Sequence, residues 1–231
     1  MTNFNFEGQP EGEWEDRGNL SWSELDWQQF LQRRDKDISR FLKFYDECPL
    51  GPTERLDWVA RQMNWDTEDW SVGDFPEDED DSEGWKGASE QLPGSADTDP
   101  YTLHRHPVFV VSTGLFLQMR HILRTALKHK NAPTDALLSW DFSDILNDAE
   151  RHSLMAMQSM DMGDFMLCLV HLKRALKGIN AAMSIVGPLT EEASAGEFFR
   201  HALVARMFDL RDVYIRVIQD CRGEDRRNYG E

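Results

Sequence analysis

Four histidines, His121, His152, His171 and His201, fall one to each helical segment of the C-terminal half, where side chains of a helical bundle converge. Histidine and carboxylate facing a bundle core is the chemistry of di-iron sites, which need Glu-x-x-His on two helices. No glutamate here has a histidine three residues later, and Glu150 lies two before His152, where side chains diverge. His121 falls on the polar side of its helix with Gln118 and Arg124, so the four are not expected to meet, and a smaller set such as His152 with Asp148 is the remaining metal arrangement. Cys168 and His171 share a helical turn, but Cys168 sits in an apolar stripe that raises a thiol's pKa and leaves it inert. A second pair, Arg124 and His129, stands five residues apart beside Lys128 and Lys130.

That Arg-x4-His spacing resembles the motif of the helical ribonucleases called HEPN domains. The resemblance implies Arg124 stabilising a phosphorane-like charge and His129 acting as general base. Five residues on a helix leave the two side chains about 140° apart beyond one full turn, so a symmetric dimer would be needed to bring such groups together. His171 is also compared with histidine phosphotransfer bundles, but Leu176-Lys177-Gly178 follows it five residues on, on a different face from that family's two-residue spacing. Serine, lysine and glycine-rich phosphate motifs are missing, and no cofactor or metal is expected.

The elements that position these residues are helices. Ser21 with Glu24 reads as a capping box, Leu20 and Leu25 as a hydrophobic staple, and Trp27, Phe30, Leu31, Ile38, Phe41, Leu42 and Tyr45 recur at helical spacing until Pro49. Thr53 is placed to cap a second helix with Leu56, Val59, Ala60 and Met63 on one face. Pro107 suits the first turn of a third helix that runs to Lys128, and a fourth is expected from about Phe142 to Gly163 after a connection holding Trp140. The fifth, with Cys168, Leu172, Ile179 and Val186, is expected to end at Gly187-Pro188 and to be the most deeply buried. Ser194 with Glu197 opens the last, which Gly223 is expected to stop. The fold expected is all-α. Residues 1–20 form a flexible tail and 21–64 a helical hairpin with too little core to stand alone; 65–103 are an acidic, largely disordered linker, 104–222 a four-helix antiparallel bundle, and 223–231 a C-terminal tail.

Charge separates these pieces. Of a net −17, residues 66–99 carry −12, with thirteen acidic residues against Lys86, whereas residues 101–231 hold sixteen acids and sixteen bases. Duplex nucleic acid needs clustered Lys and Arg to displace counterions, and no such cluster stands out. No apolar run is long enough for a membrane span, and the N-terminus has neither a basic start nor an apolar stretch, so the chain reads as cytoplasmic. Cys48, Cys168 and Cys221 cannot all pair and read as reduced thiols. By elimination of enzyme signatures the expected role is a helical protein-interaction or scaffold protein. Another protein, or a second copy, would be the partner. The adaptable elements would be the hairpin, the acidic aromatic segment with Trp70, Phe75 and Trp85, and the methionine-rich turn with Met160 and Met162.

Overall fold

A computed structural model describes residues 23–65, 103–128, 136–190 and 196–229. Among these the fold is all-α: α1 (Glu24–Glu47), α2 (Pro52–Met63), a 3-10 turn (Leu103–Arg105), α3 (Pro107–Lys128), α4 (Ala136–Asp161), α5 (Phe165–Thr190) and α6 (Gly196–Tyr229).

The helix ends show which local chemistry prevails. The capping box of α1 is Ser23 with Asp26, in place of Ser21 with Glu24: Asp26 N–H donates to Ser23 Oγ at 3.3 Å, and Ser23 N–H to Asp26 Oδ2 at 2.9 Å. Gly51, not Thr53, is the N-cap of α2, because Pro52 has the fixed φ and missing N–H that suit the first helical position. Helix α4 begins at Ala136, six residues before Phe142, since nothing between the two interrupts a helix. Glycine ends a helix through a left-handed φ, and among the described glycines Gly163 alone has one, at 76°. Gly187 and Gly223 therefore stay helical, and α5 and α6 run past them to Thr190 and Tyr229. At the α4–α5 turn Asp164 N–H reaches Ser159 O and Gly163 N–H reaches Met160 O, both at 2.9 Å, and the Asp164 carboxylate then caps Leu167 N–H at 2.9 Å.

Helices α3, α4, α5 and α6 contact one another in a ring, while α1 lies on α3 and α2 touches α6. Ser112 meets Tyr214 and Gln118 meets Arg206, so α3 and α6 run antiparallel. His152 meets His171 and Ala149 meets Gly178, which gives α4 and α5 the same relation. One buried cluster includes Phe41, Val59, Leu115, Phe142, Leu172 and Leu210, so the hairpin shares its core with the other four helices.

The most enclosed helix is α3 rather than α5. From Val108 to Phe116 only Thr113 escapes burial, because α4 and α6 flank α3 on two sides and α1 covers the third. Gly114 permits that cover: a Cβ there would stand 3.0 Å from the Phe41 ring. Trp65, placed by sequence at the start of the linker, is buried and stacks on Phe41 at 6.2 Å between ring centroids. Helix α5 packs on α4 and α6 and leaves its outer face open.

Candidate functional site

The α4–α5 turn is the most apolar exposed feature near the residues singled out by sequence. Met162 is 72% exposed and Met166 55%. Leu154, Met155, Leu167 and Val170 add exposed apolar surface on the two turns either side. Gly163 and Asp164 hold the ends of the two helices in a fixed geometry, so these side chains project from a rigid base. Met160, expected on this surface, is instead fully buried. Helical spacing puts it in line with Ala149, Ala156 and Met157 on the core side of α4, and only Met162, beyond the last helical residue, turns outward.

The four histidines do not converge, but two of them meet. His152 Nδ1 and His171 Nδ1 are 3.1 Å apart, across the α4–α5 contact. One ring donates a proton that the other accepts, which requires at least one neutral imidazole. Burial first, then the charges of His152 and Arg174, hold the His171 pKa below the usual histidine value. Asp148 Oδ2 stands 3.8 Å from His152 Nε2. His152 also lines an open groove of about 700 Å³, together with Asp144, Asp148, Arg151, Arg174 and Lys177. Its acids, Asp144 and Asp148, come from α4 and Arg174 and Lys177 from α5, with Arg151 paired to Asp148. Among the described residues no group of three or more His, Cys, Asp or Glu gathers in a way that could hold a metal ion. His121 and His201 are exposed.

Two further polar clusters are buried. Tyr45 and Arg55 both bond Asp209, joining the hairpin to α6, and Tyr214 O–H bonds Ser153 Oγ at 2.6 Å and lies 3.2 Å from Ser112 Oγ. Each satisfies the hydrogen-bonding groups of its own members inside the core, as buried polar groups must.

Of the catalytic alternative, Arg124 is exposed near the end of α3, and His129 lies outside the described residues, as do Trp70, Phe75 and Trp85. Among the described residues no helix is long and apolar enough to cross a membrane. Sequence reasoning missed the outer face of α5. Its signal was the charge pattern: this helix has Lys173, Arg174 and Lys177 and no acidic residue, in a chain of net charge −17.

No family model matches the chain, and no curated protein or solved structure is significantly similar to it.

Proposed function

We propose that this chain is a protein-interaction module that binds its partner through the α4–α5 turn. The observation that carries this reading is the exposure of Met162 and Met166 on a capped, rigid turn. Flexible thioethers fill irregular partner surfaces, and exposed apolar side chains clustered on one face gain free energy when a partner removes them from water. The buried polar clusters offer no competing contact surface, since their hydrogen bonds are satisfied within the core.

Affinity capture from the native cell, with the intact chain as bait and a Met162→Glu/Met166→Glu variant beside it, tests this. Both positions are exposed, so the variant should keep the native melting temperature. The expected result is one or more proteins held by the native chain and lost from the variant. An identical captured set from both baits would overturn the reading.

A further inference from the structure

The outer face of α5 and the adjoining edge of α6 form a basic, apolar strip. Met166, Val170, Lys173 and Lys177 follow at steps of four, three and four residues and are all exposed, so they share one helical face. On α6, Arg206, Asp209 and Arg216 turn toward α1 and α2. Phe208, Arg211 and Ile215 therefore occupy the other edge. Phe208 and Ile215 are 50% and 41% exposed. Arg211 lies over the Phe208 ring at 5.6 Å, and its Nε makes no hydrogen bond in this structure.

We propose that this strip is the docking surface for the chain's own acidic stretch, residues 66–99. Charge is the first argument. The strip joins cations to apolar surface, and the stretch combines thirteen acids with Trp70, Phe75 and Trp85, the complementary composition. Position is the second. The described chain leaves the body at Trp65, just past α2, where the ring stacks on Phe41 of α1. Leu103 re-enters in the 3-10 turn, which packs on α3 and α4, with His104 against Phe30 of α1. In the ring, α6 and α4 are joined on one side by α3, which α1 covers, and on the other by α5, whose outer face is open. Residues 66–102 can span about 120 Å when extended, several times the width of two packed helices. Tethering at both ends also gives the stretch an effective concentration that a separate acidic chain must match. Met166 and Val170 belong both to this strip and to the surface assigned to the partner, but the crosslinks read at Lys173 and Lys177 do not depend on that assignment.

Zero-length carbodiimide crosslinking of the full-length chain tests the proposal, because it joins a lysine to a carboxylate only where the two already touch. Equal amounts of unlabelled and ¹⁵N-labelled protein are mixed at low salt, crosslinked and mapped by mass spectrometry. The expected result is a set of links from Lys173 and Lys177 to acidic residues of 66–99, within single chains. They should fall about fivefold in 0.5 M NaCl, where screening is strong, and by a similar factor in Arg174→Glu/Arg211→Glu, which keeps both lysines. The salt arm uses the native chain and does not depend on how the variant folds. Links confined to Asp144 or Asp148 of α4 would overturn the proposal, as would links found only between labelled and unlabelled chains, which would make a second copy the occupant.

Discussion

Tyr45 on α1 donates its phenolic hydrogen to the Asp209 carboxylate on α6, although 164 residues separate them in the chain. Arg55 on α2 reaches both, with Nη1 at 3.0 Å from the Tyr45 oxygen and 2.9 Å from Asp209 Oδ2. One carboxylate thus holds the first two helices to the last. Burial pushes the Asp209 pKa up while Tyr45 and Arg55 pull it down, so the ionised acid depends on its partners for compensation. Asp209→Ala removes that compensation and strands a buried guanidinium, which should cost about 3 to 5 kcal/mol of unfolding free energy. Tyr45→Phe leaves the ion pair and should cost about 1 to 3 kcal/mol. Urea denaturation of the two variants checks the order, and a larger loss for Tyr45→Phe would contradict it.

This cluster also marks where sequence reading stopped. Helical spacing located the six α-helices of the described residues, because the core stripes of α3, α5 and α6 repeat at three and four residues, a pattern local to each helix. Asp209 escaped since periodicity marks apolar positions only, and nothing local to α6 reveals that Tyr45 and Arg55 lie opposite it. The enclosure of α3 was hidden for a similar reason: it depends on α1 crossing Gly114, a tertiary fact. The His152–His171 contact needed the α4–α5 register, which the Gly163 turn fixes in three dimensions. Met160 and Met162 were legible as a methionine-rich turn, but which of them faced water turned on where α4 ends.

Acid should weaken the fold through neutral histidines. Burial pushes the His106 pKa down to about 4, and its Nδ1 accepts the Val108 N–H at the start of α3, a bond only the neutral ring can make. The depressed value means that the unfolded chain takes up the proton first. Stability is fully present above the ordinary histidine pKa of about 6.5 and is lost as pH falls toward about 4, by on the order of 3 kcal/mol. His104 and His171, shifted in the same direction, add to the slope, whereas Asp209, shifted up, acts with the opposite sign at lower pH. Denaturation midpoints measured from pH 7.5 to 4.5 should therefore fall, and fall less steeply in His106→Asn, which keeps an acceptor without the titration. Equal slopes in the two proteins would remove His106 from this account.

Gly178 brings α5 close to α4. A Cβ there would meet the Ala149 Cβ at 2.9 Å, closer than two carbons pack, with the Ile145 carbonyl oxygen 3.6 Å away. Gly178→Ala should gain about 1 kcal/mol in helix propensity and lose about 1 to 3 to the forced separation. The net is destabilisation. Ala149→Gly should recover much of it, because it removes the atom in the way, and the double-mutant cycle should show a coupling of about 1 kcal/mol or more. Additive effects in that cycle would mean that the helices move apart freely.

The three cysteines should separate cleanly by reactivity. Cys168 and Cys221 are fully buried with their sulfurs 3.8 Å apart, and the Cys221 contact, together with burial, pushes the Cys168 thiol well above its usual pKa. The thiolate is the reactive species, so Cys168 lacks the form, and both buried thiols lack the access, that alkylation requires. Cys48 lies half-exposed just beyond the end of α1. Iodoacetamide under native conditions should label Cys48 alone, with Cys168 and Cys221 modified only as the chain unfolds. Labelling of Cys221 in folded protein at a rate comparable to Cys48 would mean that the α5–α6 contact opens on the timescale of the reaction, and that the core around Leu172 and Val217 is less persistent than its burial implies.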